Sequence, residues 1–156
     1  MHDARLNKLA NVLITHSTKL QPGEHVLIEG FDIPQEMIIA LIRATRNAGG
    51  IPLVEIKQNR IQREIIRNSD DDGIKLIGEY EAYRMNRVQA YIGVRGSHNI
   101  TEMSDVPTEA MRRYEKLWLT PVHFDIRVPK TKWVVLRWPT PSMAQQAKMS
   151  TEAFED

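Results

Sequence analysis

The sequence predicts an α/β fold, a mostly parallel sheet with helices on both faces in a Rossmann-like or flavodoxin-like arrangement of layers. Short, nearly continuous apolar runs alternate along the chain with longer segments whose apolar residues recur at helical spacing. Strands that lack a polar face are typical of parallel sheets covered by helices on both sides. We find no internal repeat and no low-complexity segment, and we expect right-handed crossovers between the strands.

The first part of the chain is predicted to form a helix and then a βαβ unit. Apolar residues at helical spacing end at Gln21-Pro22-Gly23, and the next apolar run ends at Gly30. Asp32 and Pro34 are suited to the start of a helix, which Gly49-Gly50 closes. The predicted elements are helix 5–18, strand 25–29, helix 34–48 and strand 53–56.

The second part of the chain continues the alternation of helices and strands. A polar break at residues 69–73 separates two amphipathic segments, and Pro107 is suited to open a third. The predicted elements are helices 61–68 and 74–87, strand 90–94, helix 107–118 and strand 133–136.

The last residues have the features of a helix N-terminus. Ser150 and Thr151 are suited to N-capping, and Glu152, Glu155 and Asp156 supply acidic residues. We therefore expect residues 1–149 to form an N-terminal α/β domain. We expect residues 150–156 to begin a truncated helix that leads into a C-terminal metal-binding domain absent from this sequence.

Composition excludes several function classes. The 21 basic and 20 acidic residues give a formal net charge of +1, which offers no electrostatic argument for nucleic-acid or membrane binding. The absence of cysteine removes disulfides, thiolate zinc sites and cysteine nucleophiles. We see no signal peptide and no apolar run long enough to span a bilayer, so we expect a soluble cytoplasmic protein without nucleic-acid or membrane partners.

The familiar catalytic and cofactor motifs are missing. Gly30 stands alone where a dinucleotide fingerprint needs three spaced glycines, so we interpret it as a turn glycine and Gly93 as a site of close strand packing. The serines lack the small-residue elbow of hydrolase nucleophiles. The acidic groups 70–72 and 79–81 are typical of a solvated loop and an exposed helix face, so no acid/base pair stands out and no catalytic residue is assigned.

Metal binding by the histidines has little support. On a strand, His123 and Asp125 would point to one face, but a zinc site needs a third and a fourth ligand. We therefore expect structural or surface roles for both residues and assign no metal ligand to this chain.

The loops that follow the predicted strands are the best candidates for a binding site. Ligands in open α/β sheets bind beyond the carboxyl ends of the strands, where residues 58–60, 95–99 and 137–140 offer donors suited to carboxylates or peptide groups. The alternative is that these are ordinary polar loops. The predicted substrate-binding or outer-shell residues are Arg95, Ser97, Asn99, Arg137, Trp138 and Thr140.

Several stretches in order resemble the thermophilic-type metallo-aminopeptidase family, the leucyl aminopeptidase or aminopeptidase T and S group. They are Leu20-Gln21-Pro22-Gly23-Glu24, Val26-Leu27-Ile28, Ala48-Gly49-Gly50, the run 92–97 with Asn99, the run 138–145 and the run 149–156. The resemblance covers most of the chain.

This resemblance implies an N-terminal α/β domain and a C-terminal domain that binds two divalent ions (Zn, Co, Mn or Mg). It also implies that the whole protein is a homodimer and that it cleaves N-terminal residues from peptides. It places all metal ligands beyond the point that corresponds to Asp156. The family has a His-x-Asp pair among its ligands, but the position of His123 and Asp125 argues against transferring that role. This chain would then bind no cofactor and be inactive alone. A free-standing α/β module for a small ligand, or a dimerisation piece, stays open as an alternative.

Overall fold

Four parallel strands form the single sheet of this protein, which we describe from a computed structural model covering residues 3–155. Their spatial order is β2-β1-β3-β4, so β1 and β3 are central and β2 and β4 lie at the edges. The strands are β1 His25–Phe31, β2 Ile51–Lys57, β3 Ala90–Arg95 and β4 Lys132–Arg137. The predicted α/β class is confirmed, and each of the four predicted strands is present.

Eight α-helices and two π-helical segments cover the sheet within the described residues. They are α1 Ala4–Asn11, continued by the π-segment Val12–Ser17, then α2 Gln35–Asn47, α3 Asn59–Asn68, α4 Asp71–Met85 and α5 Thr108–Tyr114. A second π-segment, Glu115–Arg127, which we call π2, is followed by α6 Val128–Lys130, α7 Pro141–Gln146 and α8 Thr151–Glu155. None of the helices among residues 3–155 combines the length and the apolar character needed to cross a bilayer.

The apolar residues form one core on each side of the sheet. On one side, Val26 and Ile28 of β1 pack with α1 and α2, and their neighbour Leu27 points to the opposite side. There it packs with Ile74 of α4 and Trp118 of π2. This alternation, with both sides apolar, explains the continuous apolar runs of the central strands.

Strand register brings charged residues into one row at the carboxyl ends of the strands. Phe31 of β1 is the register partner of Lys57 on β2 and of Arg95 on β3, and Arg95 is in turn paired with Arg137 on β4. Residues in register point to the same face of a parallel sheet. Two basic side chains therefore flank the ring of Phe31 on the side covered by α4 and π2.

Close packing of α4 on π2 completes that side of the sheet. A Cβ atom on Gly78 would lie 2.0 Å from the backbone oxygen of Leu117, so only glycine allows this approach. Glu81, less than one turn further along α4, is thereby placed beside Trp118.

Three predictions from the sequence are wrong in detail. Gly30 lies within β1 rather than in a turn, and a Cβ there would meet the side chain of Ile38 at 2.8 Å. Residues 70–72 begin α4, where the carboxylate of Asp70 accepts from the amide of Gly73 at 2.9 Å, instead of forming a loop. Glu81 is buried and not on an exposed helix face, because it faces Lys57 and Trp118 in the interior. Asp156 lies outside the described residues.

Candidate functional site

A cleft of about 290 Å³ opens beyond the carboxyl ends of β1, β2 and β3, between the sheet and the helical layer of α3, α5 and π2. Its lining includes charged side chains from the strands, α4 and π2, the amides of Asn59 and Gln62 on α3, and aromatic, methionine and aliphatic side chains. This is the position at which open α/β sheets bind ligands.

Lys57 links two buried carboxylates in this cleft. Its Nζ lies 3.1 Å from Oε2 of Glu29 and 2.9 Å from Oε2 of Glu81, and the three side chains are only 11%, 3% and 5% exposed. Burial alone would lower the pKa of Lys57, but the charges of the two glutamates raise it above its ordinary value. The ammonium group is therefore held charged by its two partners.

Glu29 is held ionised by a second set of contacts. Tyr91 donates from its hydroxyl to Oε1 of Glu29 at 2.6 Å, and the guanidinium of Arg127 lies 3.9 Å from the same oxygen. Burial would raise the pKa of Glu29, but the charges of Lys57 and Arg127, with these hydrogen bonds, bring it below its ordinary value. Burial and the nearby Glu29 charge raise the pKa of Tyr91, so its hydroxyl remains a donor.

The ring of Tyr91 reaches Glu29 because of a glycine on the same strand. A Cβ on Gly93 would lie 2.8 Å from the Tyr91 hydroxyl, so the ring occupies the space that a side chain would fill. Arg127 stacks on the other side of this ring, with its guanidinium carbon 3.6 Å from the ring centroid. Gly93 lies within β3 as predicted, but the space that it leaves is filled by Tyr91 of the same strand and not by a neighbouring strand.

Aromatic side chains pack beside Glu81 and Lys57 in the cleft. Trp118 donates from Nε1 to Oε1 of Glu81 at 3.1 Å, and its ring packs edge to face against Tyr114 with centroids 5.2 Å apart. The Nζ of Lys57 lies 5.2 Å from the Trp118 ring centroid. Glu81 is thus bound to one cation and one neutral donor.

His123 accepts a hydrogen bond at the edge of the cleft. Arg127 Nη1 lies 3.1 Å from His123 Nδ1, and because a guanidinium can only donate, Nδ1 is the unprotonated nitrogen. Burial, together with the charges of Arg127 and Arg95, lowers the pKa of His123. The imidazole is therefore neutral at pH 7.

His123 and Asp125 lie in the π2 segment and not on a strand, so the strand geometry that would point both side chains to one face does not apply. Helical residues two positions apart do not face each other, so the two side chains do not form a common ligand pair. Among residues 3–155 there is no group of three or more His, Cys, Asp or Glu side chains arranged to hold a metal ion.

Of the six predicted site residues, Arg95 is the one that lines this cleft. Its Nε is shielded from solvent and has no hydrogen-bond partner, and its guanidinium carbon lies 5.9 Å from the Phe31 ring centroid. Arg137 and Trp138, although next to Arg95 in the sheet, line a separate surface pocket with Leu6 of α1.

Ser97, Asn99 and Thr140 come together as a loop anchor. Thr140 donates from Oγ1 to the backbone oxygen of Ser97 at 2.7 Å, and Ser142 donates to the same oxygen. Ser97 in turn donates from Oγ to the backbone oxygen of Asn99 at 2.9 Å. Their hydrogen bonds hold the loop after β3 against the start of α7.

Asn59, in the predicted loop 58–60, connects the ends of β1 and β3. It begins α3, and its Nδ2 donates to Oδ2 of Asp32 at 2.7 Å and to the backbone oxygen of Gly96 at 2.9 Å. A Cβ on Gly96 would lie 2.5 Å from the backbone oxygen of Asp32. The loops after β1 and β3 therefore touch and form the rim of the cleft.

Sequence reasoning missed the buried charges at the centre of this site. They are Glu29, Lys57, Glu81 and Arg127. One signal was available, since a single glutamate in the apolar run 26–30 needs a buried partner. Arg127 gave no such signal because its position in π2 depends on a helix that continues past Pro121.

Comparisons with known proteins give a family and a similar fold for this chain. A family model described as thermophilic metalloprotease (M29) matches residues 2–156. The structure of wild-type AmpT from Thermus thermophilus is similar with a TM-score of 0.72 and 17% identity, over 97% of this chain and 41% of that chain. This chain thus spans less than half the length of AmpT, and at this identity the likeness concerns the fold alone.

Other matches are weaker. A LacI-family protein from Corynebacterium glutamicum is similar with a TM-score of 0.43 and 12% identity, over 96% of this chain and 50% of that chain. CurK enoyl reductase gives a TM-score of 0.35 and 14% identity, over 90% of this chain and 44% of that chain. Neither contributes to the argument. No curated protein matches the sequence.

Proposed function

This chain belongs to the thermophilic metalloprotease family M29, and from that premise we propose that the protein containing it is a metal-dependent aminopeptidase that releases N-terminal residues from peptides. The observation that carries the proposal is the match of the family model to residues 2–156. The α/β fold shared with AmpT agrees with it. We further propose that the intact protein is a cytoplasmic homodimer.

Residues 1–149 would act as its N-terminal α/β domain, with the divalent ions held by residues that follow position 156. The cleft described above does not fit a divalent ion, because each of its carboxylates is already bound. Glu29 is engaged by Lys57 and Tyr91, and Glu81 is engaged by Lys57 and Trp118. Ligation of a metal would require these carboxylates to give up their buried partners. We therefore propose that this chain alone is inactive.

The role proposed for this domain is contact with the peptide substrate. Arg95 is the leading candidate, since it lines the cleft and forms no ion pair with any carboxylate among the described residues. The anchor formed by Ser97, Asn99 and Thr140 would fix the loop beside it. Arg137 and Trp138 would contact substrate at the separate pocket next to α1.

A second candidate is a free-standing module that binds a small ligand. The cleft at the strand ends supports it, because its position and size suit a ligand without any contribution from another domain.

Activity of the intact protein tests the proposal. The product of the whole reading frame that contains residues 1–156 should hydrolyse leucyl anilides or leucyl peptides when loaded with Zn²⁺, Co²⁺, Mn²⁺ or Mg²⁺, and a chelator should abolish the reaction. The 156-residue chain should show no hydrolysis under the same conditions. Hydrolysis by this chain alone would overturn its proposed role, and an inactive metal-loaded intact protein would overturn the peptidase assignment.

A further inference from the structure

We propose that the cleft beyond β1, β2 and β3 binds a small carboxylate that carries an apolar group, such as the C-terminal residue of a short peptide. The choice of a peptide end as the natural ligand rests on the proposed function. The site itself is argued from the side chains of this chain alone.

The charges in the cleft do not balance. Lys57, Arg95 and Arg127 contribute three positive charges, and Glu29 and Glu81 contribute two negative ones, with His123 neutral. The unbalanced positive charge is that of the half-buried Arg95, and a partly buried charge needs a partner more than one at the surface. A single carboxylate would balance it, and a phosphate dianion would reverse it.

Two arginines offer donors that nothing in the described residues accepts. The Nε atoms of Arg95 and Arg127 are both shielded from solvent and lack hydrogen-bond partners. Arg127, which is 4% exposed, is held by Tyr91, His123 and Glu29, so it is fixed in place with only its Nε unpartnered. A buried donor without an acceptor costs free energy, and a small shift of the guanidinium towards a bound carboxylate would recover part of it.

Arg95 is suited to take the carboxylate itself. It is half-buried at the end of β3 and forms no ion pair among the described residues. A guanidinium presents parallel N–H groups that match the two oxygens of a carboxylate, which favours this anion over a spherical one.

Apart from Asn59 and Gln62, the uncharged residues that line the cleft are apolar or aromatic. Met103, Met111, Tyr114 and Leu119 are among them. A volume of about 290 Å³ is at the lower end of small-molecule sites, which hold roughly 300 to 1,000 Å³. One or two amino-acid residues fit this size, with the carboxylate at Arg95 and the side chain against the methionines.

Calorimetric titration of the 156-residue chain, without metal, tests the inference. The probes are N-acetyl-L-leucine, its uncharged amide, and inorganic phosphate. The acid should bind about tenfold or more tightly than either of the others, since only it combines the charge with the apolar group. An Arg95→Gln variant should lose about tenfold or more in affinity for the acid. Arg95→Lys should lose less, because lysine keeps the positive charge but not the parallel N–H groups of a guanidinium.

A matched control separates local from general charge effects. Arg46 is exposed on α2, which packs on the opposite side of the sheet, and Arg46→Gln removes the same charge. Its affinity for the acid should be unchanged. Equal binding of acid and amide, equal binding of phosphate, or an Arg95→Gln variant that folds and binds normally would overturn the inference. Because no metal or hydrolysis is involved, these results do not depend on whether the peptidase assignment is correct.

Discussion

Replacing Lys57 by methionine is the substitution that most directly probes the buried charges. Methionine keeps most of the apolar stem but removes the ammonium group from between Glu29 and Glu81. Both carboxylates would stay buried, with side chains 3% and 5% exposed. Removing one partner of a buried ion pair typically costs about 3–5 kcal/mol of stability.

We expect the lower end of that range for Lys57→Met. Arg127 still lies 3.9 Å from Glu29, and Trp118 still donates to Glu81, so neither carboxylate is left entirely without a partner. A loss of about 3 kcal/mol would lower the melting temperature by about 6–12 °C in a domain of this size. Urea denaturation and thermal unfolding followed by circular dichroism measure both quantities.

The destabilisation should depend on pH in a defined direction. In the wild-type protein the pKa of Glu29 is lowered, so its contribution to stability is present above the unfolded-state pKa and is lost as pH falls through the folded-state pKa. Without Lys57, burial raises the pKa of Glu29. The difference between wild type and variant should therefore shrink as the pH is lowered from 7 towards about 4.

A matched control is available on the protein surface. Lys75 is 63% exposed and lies 4.0 Å from Glu79, and Lys75→Met should cost less than about 1 kcal/mol. The reasoning is refuted if Lys57→Met costs no more than Lys75→Met, or if its cost grows as the pH is lowered.

Two further predictions concern the elements around the cleft. Gly78→Ala should destabilise the protein by about 2–4 kcal/mol, since its Cβ would meet a backbone oxygen of π2 at 2.0 Å. In Gly73→Ala, in the same helix, the new Cβ would lie 3.3 Å from Oδ1 of Asp70, which a small shift of that side chain relieves, so stability should change by less than about 1 kcal/mol in either direction. Equal urea midpoints for the two variants would contradict this. The pKa of His123, measured by NMR titration, should lie below 6.5 and rise in Arg127→Gln. The stability that neutral His123 contributes is present above about pH 6.5 and lost as pH falls through its lowered pKa, so an unshifted pKa in both proteins would contradict the contacts described.

The sheet was predictable from the sequence because its strands can be recognised from their local residue pattern alone. The central strands are apolar on both sides, so each appears as a continuous apolar run whatever the rest of the chain does. The end of the helix that begins at Thr108 was not predictable. Pro121 reads as a helix breaker, but the chain continues past it as a π-segment to Arg127. The short helix α7 was missed because Pro139 and Pro141 read as a loop.

The candidate cleft lies at the strand ends, where the sequence predicted a binding site, but only one of the six predicted residues lines it. Loops at the strand ends were the expected place, and Arg95 is found in the cleft there. The partners of Lys57 come from residues 28 positions earlier and 24 positions later in the chain, on elements whose packing no local pattern records. Glu81 was misassigned because its neighbours Glu79 and Tyr80 are exposed and the charge run looked uniform.

Our central proposal is that this domain contacts the substrate and that the metal ligands lie elsewhere in the protein. The most direct measurement is the Michaelis constant of the intact protein and its Arg95→Gln variant for a leucyl dipeptide, with metal content determined on the same samples. We predict an unchanged metal content and a Michaelis constant raised about tenfold, because a contact to substrate is lost while the metal site is untouched. An unchanged Michaelis constant, or a loss of bound metal in the variant, would contradict the account.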